Sequence, residues 1–258
     1  VRQSASSGAH PPDLSLVIVT YRSADVIGAC LDSVAAAGGV SREVFVVDNA
    51  SADDTAEIVR TRHPSVRLIA NAENRGFAAA NNQAIPLCRG RYLFFLNPDA
   101  VLDGPCLETA LRFMDGHPKI GLAGTKVVYP DGASQETISL RYPGEKHAAG
   151  ELAGLAGSIA CVLGASMIAR AELVREIGGF DEDYFLYGED QELCLQIRRR
   201  GYEIGYIAEA TVRHIGGHSE TDAAAADKWG RKARAEYLFC RKHYRPETVR
   251  RIAREDRL

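Results

Sequence analysis

The stretch EVFVVDNASADDT, residues 43–55, decides the fold predicted for this chain. It opens with a short run of β-branched and aromatic residues, which is typical of a buried parallel strand and predicts a strand over Val44 to Val47. Two polar side chains, Asp48 and Asn49, follow directly at the carboxyl end of that strand. This pattern, a buried strand that ends in polar side chains, guides the interpretation of the other strands of the chain.

The residues after this strand predict the start of a helix. Ser51 and Asp54 stand three residues apart, as in a capping box, so a helix is expected from there to about Arg62. A strand followed by a helix recurs through the first hundred residues. Further strands are predicted at LSLVIVTY (14–21), VRLIAN (66–71) and GRYLFFLNPDA (90–100), and further helices at ADVIGACLDSVAAAG (24–38) and GFAAANNQAI (76–85).

This alternation predicts an α/β fold with a mixed, mostly parallel sheet flanked by helices. Sheets of this kind bind ligands beyond the carboxyl ends of their strands. Pro98 fixes a non-helical turn before Asp99, so Asp99 is not explained as a helix cap. We therefore expect a binding site where the polar strand ends gather, at Thr20, Asp48, Asn71 and Asp99.

Composition limits the classes of function. The chain has 258 residues and a net charge of −3, which fits one large domain and argues against a nucleic-acid-binding protein. Its six cysteines form no CxxC pair, which indicates reduced core thiols and a cytoplasmic location. No apolar run is long enough to span a bilayer. The expected organisation is a disordered tail over 1–13, a domain over 14–245 that ends in a basic helix (222–245), and a C-terminal tail over 246–258.

The second half of the chain is less regular. The segment IGLAGTKVVYPDGASQ (120–135) predicts a strand, a turn at PDG and a return, and residues 141–157 are expected to form a loop or lid. A buried strand pair is predicted at SIACVLGASMIAR (158–170), a helix at AELVREIGG (171–179), a strand from residue 202 and a long basic helix over about 222–243.

Two adjacent acids, Glu189 and Asp190, stand in FLYGEDQELCLQIRRRGY (185–202) at the start of a predicted helix that Gly201 ends. Acids in a first helical turn are favoured by the macrodipole and by the unpaired amides there. The residues alone leave this capping role and a catalytic role open.

Six motifs in order carry a family resemblance. The chain resembles the family 2 nucleotide-sugar glycosyltransferases of the GT-A fold, most closely the rhamnosyltransferase-type enzymes of bacterial cell-wall and surface-polysaccharide assembly. The resemblance covers about residues 14–245, and it implies a nucleotide-binding half over 14–103 and an acceptor-binding half over 104–221. The motifs are VIVTYRS (17–23), VVDNASADDT (46–55), NRGFAAANNQAI (74–85), FLNPDA (95–100), GGFDEDYFLYGEDQELCLQIRRRGY (178–202) and HIGGHS (214–219).

The resemblance implies an inverting transfer of a sugar from a nucleotide diphosphate donor to a glycan or polyprenyl-linked acceptor. The expected donor is dTDP-rhamnose, with a UDP-sugar as the alternative. The family motif for metal binding carries two acids, whereas this chain has Asn97 in place of the first. A non-catalytic module that binds nucleotide sugars is therefore a further alternative.

The resemblance also implies a role for single residues. Asp99 and His214 would hold a divalent cation, Mg²⁺ or Mn²⁺, against the donor diphosphate, beside Asn97. A zinc site formed by His214 and His218 is the weaker alternative, since no third ligand is adjacent. Asp190 would be the general base, with Glu189 beside it to raise its pKa. The nucleotide sugar would contact Thr20, Tyr21, Asp48, Asn74 and Arg75.

A basic segment near the carboxyl terminus has two interpretations. Residues 228–254 contain ten lysines and arginines against two glutamates, interleaved with aromatic side chains. Such a helix can lie on an anionic membrane surface, which suits a lipid-linked acceptor. It can equally pack on the domain with its basic face in water.

Overall fold

The computed structural model describes residues 10–148, 150–216 and 225–255. Most of the tail expected over 1–13 lies outside these residues, as does His218. The strands are β1 Leu14–Thr20, β2 Arg42–Asp48, β3 Arg67–Ala70, β4 Tyr92–Leu96, β5 Ala100–Leu102, β6 Ile120–Val128, β7 Ile138–Ser139, β8 Cys161–Val162, β9 Ser166–Arg170 and β10 Glu203–His214. The helices are α1 Ile27–Ala36, α2 Thr55–Arg62, α3 Gly76–Ala84, α4 Cys106–Gly116, α5 Ala171–Ile177, α6 Glu189–Arg199, α7 Ala225–His243 and α8 Pro246–Glu255, with 3₁₀ turns at Ile85–Leu87 and Glu145–His147.

One eight-stranded sheet, in the order β3-β2-β1-β4-β9-β6-β10-β5, organises the chain. Strands β1 to β4 pair in parallel, β9 lies antiparallel between β4 and β6, and β6 pairs in parallel with β10. The edge strand β5 is antiparallel to β10. The predicted mixed, mostly parallel sheet is thus confirmed. Because β1, β2, β4 and β10 point the same way, their carboxyl ends share one edge, and this edge receives the predicted site residues.

Both faces of the sheet are buried, which explains why its strands are almost continuously apolar. Alternate residues of β1 show this division: Val17 and Val19 face one apolar cluster, and Leu16 and Ile18 face the other. Helices α1, α2 and α4 cover the second face, whereas α3 and α5 to α8 cover the first. All six cysteines are buried and free of disulfides, as predicted.

The capping box predicted at the start of α2 is wrong. Ser51 donates its hydroxyl hydrogen to Asp48, and Asp54, the residue before α2, makes no side-chain cap. Instead, Asp53 accepts a hydrogen bond from the amide of Thr55 at 3.1 Å. Ser51 donates to Asp48 because Asp48 is buried, and a buried carboxylate without a donor costs more free energy than an unpaired amide at an exposed helix end.

Four helices and strands were not predicted, namely β5, β7, α4 and α8. Strand β5 is only three residues long, and α4 begins directly after Pro105, without a polar cap. Helix α8 occupies most of the region expected to be a C-terminal tail, and it buries Val249 and Ile252 against the domain. Few residues of α8 are apolar and three are arginines, a composition that favours an exposed tail over a packed helix.

The basic helix packs on the domain. Helix α7 buries Phe239 completely, and its ring stacks on Tyr142 with the ring centroids 5.3 Å apart. At the end of the helix, His243 pairs with Glu192 of α6. The interpretation as a packed surface helix thus describes α7 itself. Among the described residues, no helix is long and apolar enough to cross a membrane.

Candidate active site

A cavity of about 230 Å³ opens at the carboxyl edge of the sheet. Pockets for whole small molecules have volumes of roughly 300–1,000 Å³, so this one can enclose part of a nucleotide sugar. It brings together residues as distant in the chain as Tyr21 and Arg231. Its polar and charged lining residues are Tyr21, Asn49, Asn74, Asn97, Asp99, Tyr187, Glu189, Asp190 and Arg231.

Asp99 is held rigidly on one side of the cavity. Its turn follows β4, and the side chain is only 6% exposed. Its Oδ2 accepts a hydrogen bond from the amide of Gly216 at 3.0 Å, and its Oδ1 lies 3.3 Å from His214 Nε2. Burial opposes ionisation, but the contacts with His214 and Gly216 outweigh it and hold the pKa of Asp99 below its usual value. Asp99 is therefore a carboxylate at neutral pH.

Asp99 and His214 form a pair of donor atoms that fits a divalent cation. Two ligands at adjacent corners around a cation, with bonds of about 2.1 Å, stand about 3.0 Å apart, and the observed Oδ1 to Nε2 separation is 3.3 Å. A carboxylate with an imidazole suits Mn²⁺ and Mg²⁺. Within the described part of the chain, no cluster of three or more metal-ligating side chains occurs. The remaining ligands would come from a diphosphate and from water, as is common for Mg²⁺.

Glu189 and Asp190 line the same cavity as Asp99. Asp190 is half-buried, and its carboxylate accepts hydrogen bonds from the amides of Gly164 at 2.9 Å and Gln191 at 2.8 Å. Burial raises the pKa of Asp190, although these amides oppose the shift. Burial and the neighbouring charge of Asp190 raise the pKa of Glu189 as well. The arrangement gives Asp190 the higher proton affinity that a general base uses.

Two residues predicted to contact the nucleotide lie behind the cavity wall. Asp48 is buried, and it accepts hydrogen bonds from Thr20 at 2.9 Å and from Ser51. Neither Asp48 nor Thr20 lines the cavity, whereas Tyr21 does. Asn49, which follows Asp48, lines the cavity and was not singled out as a site residue.

The segment Asn74 to Gly76 lies at the cavity, beside the loop that leads to the acid pair. Asn74 lines it, whereas the side chain of Arg75 is exposed and does not. Directly after Gly76, the amide of Phe77 donates a hydrogen bond to the carbonyl of Phe185 at 2.8 Å. The start of α3 is thereby fixed to the loop that leads to the acid pair.

Arg231 is a site residue that sequence reasoning missed. It projects from α7 into the cavity and faces the loop before α6. The next residue, Lys232, is a second cation nearby, and its Nζ lies 5.1 Å from the centre of the Tyr187 ring. The sequence of α7 is basic, but nothing in it indicates which arginine reaches the cavity.

Backbone strain is concentrated around this edge of the sheet. Among the described residues, the non-glycine residues with positive φ are Arg22, Ala50 and Tyr187, at 51°, 61° and 72°. Tyr187 lines the cavity, and the other two directly follow the lining residues Tyr21 and Asn49. Residues in this conformation persist where surrounding structure enforces it, and such places are often functional.

Both the sequence and the fold of this chain are similar to those of known proteins. A family model described as "Glycosyltransferase like family 2" matches residues 11–235. The chain is 37% identical over 130 residues to the succinoglycan biosynthesis protein ExoO of Rhizobium meliloti, covering 50% of this chain and 37% of that protein. It is 25% identical over 256 residues to the N-acetylglucosaminyl-diphospho-decaprenol L-rhamnosyltransferase of Mycobacterium tuberculosis, covering 88% of this chain and 83% of that protein.

Solved structures share the fold at low sequence identity. The mannosyltransferase PcManGT from Pyrobaculum calidifontis, in complex with GDP-Man and Mn²⁺, superposes with a TM-score of 0.67 at 20% identity, over 94% of this chain and 68% of that one. TarS of S. aureus in complex with UDP-GlcNAc superposes with a TM-score of 0.58 at 21% identity, over 88% of this chain and 66% of that one. The chain spans 37% and 26% of the first two curated relatives, ExoO and the uncharacterized protein y4gI of Sinorhizobium fredii.

Proposed function

The chain belongs to the glycosyltransferase family 2, and on this premise we propose that its cavity transfers a sugar from a nucleotide diphosphate to a glycan or lipid-linked acceptor. The observation that carries the proposal is that Asp99 and Asp190 line one cavity. One acid stands beside an imidazole in a pair suited to a cation, and the other has a raised pKa suited to a base. A transfer from a diphosphate leaving group needs both functions.

In the proposed reaction Asp190 takes the proton from the acceptor hydroxyl while that oxygen attacks the anomeric carbon. The bond from this carbon to the donor phosphate breaks, and the single displacement inverts the carbon. When bound, a divalent cation neutralises the negative charge that develops on the departing diphosphate. Asp99 and His214 would hold this cation, and Arg231 would add a positive charge to the cavity.

The donor is proposed to be dTDP-rhamnose and the product a part of a surface or cell-wall polysaccharide. Support comes from the rhamnosyltransferase relative, which spans most of this chain, and from the polysaccharide relatives. A UDP-sugar is the second candidate, favoured by the structural likeness to TarS with UDP-GlcNAc. The nucleotide contacts of Thr20, Asp48 and Arg75 stay predictions, as do the domain boundaries, the lid over 141–157 and the membrane contact of α7.

The nucleotide can be identified by thermal shift. We expect dTDP with Mn²⁺ to raise the melting temperature more than UDP or GDP does, because a ligand that binds only the folded state stabilises it, by about 2.7 kcal/mol at a hundred times its Kd. A larger shift with UDP would favour the second donor. The absence of any shift with all three nucleotides would contradict the proposal.

The role of Asp190 is tested by Asp190→Asn. We expect kcat to fall by about 10²- to 10⁴-fold, since a positioned base contributes that much, while nucleotide binding is unchanged. The activity of the wild type should also decline as the pH falls, and this decline should begin at a higher pH than it would for an ordinary aspartate with a pKa of about 3.9.

The matched control is Asp183→Asn, which removes an exposed acid from the loop before α6 and an ion pair with Lys242. It should leave kcat unchanged. If the wild type and the Asp190 variant both bind nucleotides and neither transfers a sugar from any donor, the non-catalytic binding module is favoured.

A further inference from the structure

The turn at PDGASQ places Gln135 beside the end of β10. After this turn the chain returns along β6, and the amide of Gln135 donates a hydrogen bond to the carbonyl of Val127 at 3.0 Å. Val127 pairs with Val212 of β10 in the parallel ladder. Two residues further along β10 lies His214. The backbone therefore fixes Gln135 at the position from which its side chain reaches His214.

The side-chain amide of Gln135 contacts His214 twice. Its Nε2 donates to the backbone carbonyl of His214 at 2.6 Å, and its Oε1 lies 3.1 Å from the ring Nδ1. A carbonyl oxygen only accepts hydrogen bonds, so the NH₂ group must face it. The oxygen Oε1 must then face the ring, and Nδ1 must carry the hydrogen that it donates to Oε1.

This assignment decides what the other ring nitrogen offers to Asn97 and Asp99. A neutral imidazole carries one hydrogen, so a hydrogen on Nδ1 leaves a lone pair on Nε2. Nε2 accepts a hydrogen bond from Asn97 Nδ2 at 3.2 Å and faces Asp99 Oδ1 at 3.3 Å. Asp99 by itself favours the opposite tautomer, with the hydrogen on Nε2. The contact with Gln135 opposes that preference.

We propose that Gln135 is the positioning residue of the cation site: it fixes the ring of His214 in the Nδ1–H form, with Nε2 presented towards Asp99. The inference rests on the cation site of the proposed function and adds a residue to it. Partners of this kind set the tautomer and ring orientation of histidine ligands, and their loss commonly lowers metal affinity 10- to 100-fold.

Gln135→Met tests the proposal, because methionine has a similar length but offers neither the donor nor the oxygen. Glu136→Met is the matched control, since it introduces the same residue next door at an exposed position. Gln135→Glu is the conservative variant, which keeps an acceptor for Nδ1–H. The backbone hydrogen bond to Val127 is independent of all three substitutions, so the variants are expected to fold.

The first readout is the tautomer of His214 in the metal-free protein, from ¹⁵N chemical shifts of the imidazole at alkaline pH, with the signal assigned by a His214→Gln variant. We expect the Nδ1–H form in the wild type, in Glu136→Met and in Gln135→Glu. In Gln135→Met we expect the Nε2–H form. This readout needs no donor, acceptor or turnover.

The second readout is the affinity for Mn²⁺ alone, from the electron paramagnetic resonance signal of the free ion during titration. Gln135→Met should weaken binding by about 10- to 100-fold, Gln135→Glu should weaken it less, and Glu136→Met should not weaken it. The proposal is overturned by an Nε2–H ring in the wild type, by an unchanged tautomer in Gln135→Met, or by Mn²⁺ binding that does not depend on Gln135. If both readouts change as expected and no sugar transfer is found, only the proposed function fails.

Discussion

At the scale of single residues, the acid pair at the start of α6 combines two different environments. Asp190 accepts two amide hydrogen bonds, whereas Glu189 is 6% exposed and its Oε2 has no hydrogen-bond partner in the described part of the chain. An ionised carboxylate in that position is expensive. Glu189 therefore lowers the free energy of unfolding when it is ionised.

Glu189→Gln should stabilise the protein at pH 8 and not at pH 4. The pKa of Glu189 is raised in the folded state above its value of about 4.3 in the unfolded chain. Between these two pKa values the unfolded state is the more ionised one, so the free energy of unfolding falls as the pH rises through this range. Removing the charge should raise the free energy of unfolding by about 1–3 kcal/mol at pH 8, measured by urea unfolding. A gain of equal size at both pH values would show that the charge is not the cause.

At the scale of elements, the approach of α3 to the loop before α6 sets the width of the cavity. Gly76 has φ +81°, and a Cβ there would stand 2.5 Å from the carbonyl oxygen of Phe185. No other residue type fits this approach without moving the loop. The glycine of NRGF is thus explained by packing between two distant segments, which the sequence does not reveal.

Gly76→Ala should destabilise the fold by at least about 1–2 kcal/mol, the usual cost of a left-handed conformation for a residue with a side chain. It should also reduce kcat, because the displaced loop leads directly to Asp190 at the start of α6. Gly28→Ala in α1 is the control, since a Cβ there meets nothing within 4 Å. In this helix the control should be neutral or stabilising, by up to about 1 kcal/mol. Similar denaturant midpoints for the two variants would refute the steric explanation.

At the scale of the whole molecule, the carboxyl-terminal helices complete the site from outside the sheet. Helix α7 shares the apolar cluster of α3 and α6, and it carries Arg231 to the cavity. The buried pair of His243 and Glu192 links the same helix to α6. The position of Arg231 therefore depends on packing at the other end of α7.

Phe239→Ala should reduce the free energy of unfolding by about 3–5 kcal/mol, because it leaves a cavity under α7. Nucleotide affinity should fall too, as α7 loosens and Arg231 moves. Trp229→Ala is the control on the same helix, where the side chain is 75% exposed, and it should change stability by less than about 0.5 kcal/mol. Calorimetry and nucleotide titration would measure both effects, and an unaltered affinity in Phe239→Ala would separate α7 from the site.

The sequence by itself determined the sheet class, the family and the segments that carry Asp99, Asp190 and His214, because burial of each element leaves a periodic pattern in the chain and the motifs are local. Only the tertiary structure decided which side chains share the cavity. Asp48 is buried behind the cavity wall, Arg231 lines the cavity from α7, and Gln135 contacts His214, which lies 79 positions away in the sequence. These contacts depend on how elements pack against one another, and no local pattern records the relative placement of residues so far apart in the chain.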